Sequence, residues 1–248
     1  MSFLTIDDVT YSYTASERIV ENVHWEIAEG EFHSLVGKSG CGKTTLLKIA
    51  AGLLQPDKGA VYLKERKVAK PSEKMGFVFQ SPTLLEWKSI VDNVLLPVTL
   101  KKKATKEDKK RAEALLELMG LSAYKTRFPS ELSGGQQSRA AIARALILEP
   151  AMLFLDEPFA ALDAITREEL QDDLLHLCQM QKTSVLFITH DITEAIYLSH
   201  RVAIMEEGRI VYKLAVNLPE ARTAGMRYTP AFNELCVQVR GMMSGSAV

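Results

Sequence analysis

Residues 32–45 read FHSLVGKSGCGKTT. Phe32 to Val36 is a strand candidate, a glycine-rich turn follows at once, and Thr44 to Ala51 reads as a helix stopped by Gly52. Between strand and helix, Gly37-Lys38-Ser39-Gly40-Cys41-Gly42-Lys43-Thr44 keeps the spacing G-x-x-x-x-G-K-[ST]. Glycines let the backbone bend until successive N–H groups converge on phosphate oxygens, and the helix that follows directs its partial positive charge at the same anion. Lys43 then brings an ammonium to the β- and γ-phosphates, and the Thr44 hydroxyl suits Mg2+.

Outward from this cradle, short apolar runs alternate with helical patterns. Gly76 to Phe79, Met152 to Leu155 and Val185 to Thr189 read as strands buried in a sheet, and Val202 to Met205 with Arg209 to Lys213 reads as a hairpin. Strands separated by helices predict an α/β fold with a largely parallel sheet. From Leu84 to Leu148 the spacing is helical, punctuated by Pro97 and Pro129. Beyond Leu218 the pattern is weak, and the terminal GMMSGSAV is expected to fray.

Composition narrows the classes. The chain has 248 residues, 47% hydrophobic and 25% charged, enough for a sizeable core. Thirty Lys and Arg against 31 Asp and Glu leave a net charge of −1, which disfavours binding nucleic acid by bulk electrostatics. Three distant cysteines, Cys41, Cys178 and Cys236, predict neither a disulfide scaffold nor a zinc site. No uncharged apolar run is long enough to span a bilayer, so any membrane role needs another chain. The run KKKATKEDKKR at 101–111 reads as a solvated helix face with its entry loop, or as a contact for anionic lipid headgroups.

The strand Met152 to Leu155 ends in Asp156 and Glu157. Ligands of parallel sheets sit beyond the carboxyl ends of the strands, so Asp156 is placed to hold Mg2+ and Glu157 to polarise an attacking water. His190 follows another strand and is a candidate contact for the γ-phosphate. Leu132-Ser133-Gly134-Gly135-Gln136 opens a second helix on a bare N-terminus able to meet an anion. A head-to-tail dimer would use both glycine-rich elements, each nucleotide lying between one chain's cradle and the other's LSGGQ.

In this order the segments resemble the ATP-binding subunits of ABC transporters over residues 3 to 215. The resemblance implies a P-loop NTPase core, with a mixed, largely parallel sheet, plus an antiparallel N-terminal β part and a helical subdomain. The α/β core would cover 1–83 and 149–217, the helical subdomain 84–148, and a tail 218–248. It also implies ATP and Mg2+ as cofactors. Tyr13 would stack on adenine, although an ordinary strand aromatic is the other reading. Gly37, Ser39, Gly40, Cys41, Gly42, Lys43, Thr44 and Thr45 would cradle the phosphates. Gln80 would complete the Mg2+ and water shell, joining Lys43, Glu157 and His190 in catalysis. Ser133, Gly134, Gly135 and Gln136 would act on the partner copy's ATP, and Asp163 would link the two sites. Cys41 is read as a small filler whose thiol could make the loop sensitive to oxidation.

The implied partners are a transmembrane permease, a second ATPase subunit in a homodimer, and a periplasmic or lipid-anchored substrate-binding protein acting through the permease. The implied location is the cytoplasmic face of the inner membrane. The segments LLEWKSIVDNV, EPFAALDAITREELQDDL and ITHDITEAIYLSHRV are similar to the nitrate, sulfonate and taurine branch, which also includes importers of pyrimidine precursors. Leu84, Leu85 and Trp87 are either the surface that docks the permease or core of the helical insert. Lys38, Glu86, Ser138 and His200 depart from the usual pattern. Two other classes stand beside this one: a non-transport ABC ATPase acting on nucleic acid or ribosomes, and a regulatory module that binds nucleotide without hydrolysis.

Overall fold

A computed structural model describes residues 2–14 and 17–244. In chain order the first elements are β1 (Ser2–Thr14), β2 (Glu17–Ala28), β3 (Phe32–Val36), α1 (Lys43–Ala50), β4 (Lys58–Leu63), β5 (Arg66–Lys67) and β6 (Met75–Val78). Helices α2 (Ile90–Val94), α3 (Leu96–Thr99), α4 (Lys106–Leu118) and α5 (Gly134–Leu146) follow. The chain continues through β7 (Met152–Asp156), α6 (Ala164–Gln181), β8 (Ser184–Ile188), α7 (Ile192–Leu198), β9 (Arg201–Glu206), β10 (Arg209–Ala215) and α8 (Pro230–Met243). Two compact units result: Met1–Ser72 with Cys178–Val248, and Glu73–Leu177.

In the first unit, strict alternation makes β2 a half-buried strand: Val23, Trp25 and Ile27 are buried, while His24 and Glu26 are exposed. It pairs antiparallel with β1, which pairs with β4, which pairs with β5. This is the expected antiparallel N-terminal β part. By contrast, β3 and β8 are buried at every residue and lie parallel, as strands covered on both faces must. β9 joins β3 in parallel, and β10 returns antiparallel through Glu207 and Gly208, both at positive φ (45° and 80°). That two-residue turn matches the twist of its strands, and the resulting sheet is mixed.

His33 is the anomaly of β3. It is fully buried, its Nε2 lies 2.7 Å from Glu31 Oε2, and its ring sits 5.7 Å from Trp25. Burial pushes its pKa down to about 4, against the pull of Glu31. The folded ring therefore stays neutral while the unfolded chain takes up a proton below its ordinary value near 6.5. Stability from this group is complete above that value and is lost as pH falls from about 6.5 to about 4. Lowering the pH from 7 to 5 should cost about 2 kcal/mol of unfolding free energy from this residue. Urea melts of the wild type and His33→Gln at both pH values test this, since the variant should lose most of that slope.

In the second unit, β6 and β7 pair in parallel, Met75 opposite Met152 through Val78 opposite Leu155. Phe77 and Phe154 stack across the pair at 6.2 Å. Gly76 is required there, because a Cβ would stand 2.8 Å from the Ala145 carbonyl oxygen. The expected helical run is present: α5 buries Ala140, Ala141, Ile142 and Ala143 and packs on α2, α4 and β6. The basic run supplies the entry loop and first turns of α4, whose Thr105 forms a capping box with Asp108.

The tail corrects one expectation. Thr229 caps α8, Pro230 occupies its first position, and Phe232 and Val239 are buried, so the weakly patterned segment beyond Leu218 carries a packed helix that runs to Met243, into the first residues of the stretch expected to fray. Residues 245–248, the end of the segment expected to fray, lie outside the described ones.

Candidate nucleotide-binding and hydrolysis site

The cradle belongs to the first unit. Helices α4, α5, α7 and α8 start on a Thr, Ser or Asp whose side chain caps the first turn. Helix α1 starts on Gly42 with no side-chain cap and no acid in its first turn. An uncapped helix start preceded by a glycine turn presents backbone donors to an anion. Gly40 and Gly42 both take positive φ, 80° and 105°. A Cβ on Gly42 would run into the Ile19 carbonyl, and one on Gly37 into that of Met205. The turn is thus pressed against its own unit, and only glycine fits at these two places.

Lys43 is buried, and its Nζ donates to the carbonyls of Gly37 and Lys38, each at 2.8 Å. The ammonium is held over the concavity of the turn by the turn itself. Cys41 Sγ stands 3.9 Å from that nitrogen, and a Cβ on Gly37 would lie 2.9 Å from it, so the thiol fills space beside the glycine. Tyr13 is 55% exposed, and its hydroxyl is 3.2 Å from Thr45 Oγ1 on α1. That bond ties the half-exposed ring, which also meets Tyr11 edge to face at 5.2 Å, to the helix that follows the cradle. The uncapped start, the lodged ammonium and the two close-fitting glycines suit a polyphosphate.

His190 stands on the same sheet edge, because β8 runs parallel to β3 and Thr189 N–H reaches Leu35 O at 3.4 Å. Its exposed side chain is followed by Asp191, which caps α7 by accepting from Thr193 N–H at 2.8 Å. Buried Thr189 donates to Glu194 at 2.6 Å and accepts from Asp191 N–H at 3.0 Å, which fixes the backbone on both sides of the histidine.

The second unit holds the carboxylates and the second glycine element. Asp156 is buried at the end of β7, and Glu157 follows with φ of 47°. A glutamate in the left-handed region costs about 1 kcal/mol or more. Glycine would be easier there, so the carboxylate is retained against a backbone cost. Gln80, exposed just past β6, shares the carboxyl edge of the β6–β7 pair with these two acids.

Ser133 and Gln136 form a capping box at the start of α5. Gln136 N–H donates to Ser133 Oγ at 3.3 Å, and Ser133 N–H to Gln136 Oε1 at 2.9 Å. The helix start expected to be bare is therefore partly dressed by its own side chains. A Cβ on Gly135 would lie 2.8 Å from Leu162 Cδ2, and one on Gly134 3.9 Å from Ala161 Cβ, so this element abuts the segment leading to Asp163. Asp163 accepts from Thr166 N–H at 3.0 Å and caps α6; that bond holds its carboxyl below the usual range.

Two residues not singled out in the sequence shape the loop after Gln80. Arg144 donates to Thr83 O at 2.8 Å and to Pro82 O at 2.9 Å. Asn93 is fully buried; its amide donates to the carbonyls of Leu85, Lys88 and Ser89, and its oxygen accepts from Leu85 N–H at 2.7 Å. On this frame Leu84 is buried and Trp87 is 73% exposed, so the two readings of the cluster divide between its members. The departures are accommodated: Ser138 donates to Gly134 O at 3.1 Å, and His200 Nδ1 accepts from Phe32 N–H at 2.9 Å.

A family model described as ABC transporter matches residues 20–160. The chain is 41% identical to an aliphatic sulfonates import ATP-binding protein of Bacillus cereus, over 89% of this chain and 88% of that one. It is 45% identical to a nitrate import ATP-binding protein of Synechococcus elongatus, over 76% and 70% of the two. Among solved structures, a dimeric ATP-binding cassette in a post-hydrolysis state with ADP and Pi superposes with a TM-score of 0.80 at 32% identity, covering 87% of this chain and all of that one. A Clostridium perfringens subunit, part of an ABC transporter complex, does so at 0.79 and 25%, covering 98% and 97%.

Proposed function

Because the chain belongs to the ABC transporter ATP-binding family, we propose that it is the motor subunit of an importer that takes up a small nutrient of sulfonate or nitrate type through a separate membrane permease. The observation that carries the chemistry is the uncapped start of α1 with Lys43 lodged over the glycine turn. The relatives' sulfonate and nitrate import carries the substrate class.

In this reading two copies meet head to tail; the dimeric form of a structural neighbour supports the pairing of two copies. The turn from Gly37 to Gly42, Lys43 and Thr45 bind the phosphates of ATP, and Tyr13 stacks on the adenine. Ser133, Gly134, Gly135 and Gln136 of one copy close over the γ-phosphate held by the other. Phosphoryl transfer needs positioning and charge neutralisation more than covalent help. Glu157 orients water in line with the γ-phosphorus and takes its proton, His190 holds the γ-phosphate, and Asp163 links the two sites. Thr44, Gln80 and Asp156 would hold Mg2+, which would supply positive charge to the phosphates. The capping box explains how Ser133 is held ready in a fixed rotamer.

The loop after Gln80 is the proposed docking surface, with Trp87 as its anchor. Among the described residues no helix is long and apolar enough to cross a membrane, so the permease would bring this chain to the inner face of the membrane. A substrate-binding protein would act through that permease. The family match and the import relatives favour this reading over a nucleic-acid or ribosome ATPase and over a regulatory module.

The test is capture of the tagged chain from membranes of the native cell in mild detergent. A polytopic membrane protein should remain bound, and Trp87→Ala should cut its recovery on the order of tenfold or more, the scale of a truncated interface tryptophan. Recovery of ribosomes, DNA or soluble proteins alone would overturn the importer assignment.

A further inference from the structure

We infer that the C-terminal segment is a clamp on α7, and that Arg222 and Arg227 are positioning residues for His190. This rests on the proposed contact of His190 with the γ-phosphate.

Helix α7 is only seven residues long, Ile192–Leu198, and begins two residues after His190. A helix this short has little intrinsic stability and takes its position from what grips its ends. At its start the grip is Asp191, whose carboxylate caps the first turn. At its end the last carbonyls have no partner within the helix, and Arg222 supplies one from the tail. Its Nε donates to Tyr197 O at 3.0 Å and one terminal nitrogen to Ser199 O at 2.9 Å, while the other reaches Pro219 O. A cation at a helix C-terminus also opposes the helix dipole favourably. Burial lowers the Arg222 pKa, as expected of a guanidinium drawn in among carbonyls.

Arg227 closes the clamp from the side. Its guanidinium carbon lies 3.4 Å from the ring centroid of Tyr197, a fully buried residue of α7. Helix α8 then packs along α7 and β9, with Phe232 and Val239 buried. It reaches the histidine end as well, since the charge of Asp191 helps burial raise the thiol pKa of Cys236 on α8.

The far end of α7 connects back to the cradle. Ser199, whose carbonyl Arg222 holds, shares a hydroxyl–hydroxyl bond with Ser34 of β3, the strand that enters the glycine turn. One tail residue therefore fixes a helix tied at one end to the strand that enters the cradle and joined at the other to His190. Releasing it leaves the turn and Lys43 untouched, but lets α7 and the histidine drift. Nucleotide binding should survive, and turnover should fall.

The experiment compares the full-length wild type, Arg222→Ala, His190→Ala and the double variant, with Arg222→Lys and Arg227→Gln alongside in case Arg222→Ala folds poorly. Steady-state ATPase and backbone hydrogen exchange without nucleotide are measured on each. Arg222→Ala should lower kcat about tenfold, with KM for ATP changed less than twofold, and exchange should quicken over 192–198 but not over 43–50. Arg222→Lys and Arg227→Gln should fall between it and the wild type. In the His190→Ala background Arg222→Ala should cost nothing further, because the two act through one group. Losses that multiply, a rise in KM without a fall in kcat, or wild-type turnover in all three tail variants would overturn the clamp. Wild-type turnover in His190→Ala would instead remove the role given to His190, and the inference with it.

Discussion

Glu157→Gln should bind ATP as the wild type does and turn it over more slowly by a factor on the order of 10² to 10⁴, the usual contribution of a positioned general base. The substitution keeps the shape and hydrogen-bonding reach of the side chain and removes only its capacity to take a proton. Asp156, buried at the end of β7, is untouched, so the acid assigned to the cation stays in place. Glutamine should tolerate φ of 47° about as well as glutamate, and the backbone cost at this position should be unchanged. The dimer that closes on ATP should then persist, because the step that reopens it is blocked. Single-turnover hydrolysis and size-exclusion chromatography with ATP measure both halves of the expectation. Near wild-type turnover would mean that another group activates the water.

Lys43→Ala should fail earlier in the cycle. The glycine turn holds the Lys43 ammonium with its own carbonyls, Gly37 O and Lys38 O. Hydrogen bonds to charged partners are worth about 1.5–3 kcal/mol each, so losing even one to a phosphate should weaken nucleotide binding on the order of 10- to 100-fold. The two carbonyls also lose their donor, and a modest drop in melting temperature should accompany the change. A fluorescent-nucleotide titration read beside a thermal melt separates the two effects. Unchanged affinity would show that the phosphates do not lie where Lys43 is held.

The cradle was legible because its chemistry is local. Eight consecutive residues specify the turn, the uncapped helix start and the lysine, and no distant partner is needed to read them. The strand-end acids were legible for a related reason, since an apolar run fully buried in β7 must end at a sheet edge. What escaped depended on partners far away in sequence. Arg222 is unremarkable among polar neighbours until Tyr197 O and Ser199 O fold beneath it. Helix α8 carried a start signal in Thr229 and Pro230, but its buried face is narrow, with Val237 on the exposed side, so its period was weak. The dressing of the second glycine element could have been read: Ser133 with Gln136 three residues later is a capping-box pattern. The cluster at Leu84 to Trp87 could not, because its loop is shaped by Asn93 of the next helix and Arg144 of a later one, neither of which marks itself in the sequence as a partner of this segment.

That asparagine separates the shape of a loop from its content. Its bonds are all to main chain, two of them to Leu85 itself, and none involves the side chains of residues 85 to 87. These bonds therefore place no demand on the side chains of Glu86 and Trp87, which are both exposed. If this loop is the docking surface proposed for it, it would work as an interchangeable bit in a fixed chuck: exchanging a few exposed side chains would refit one motor to a different membrane partner, with the engine behind them left as it was.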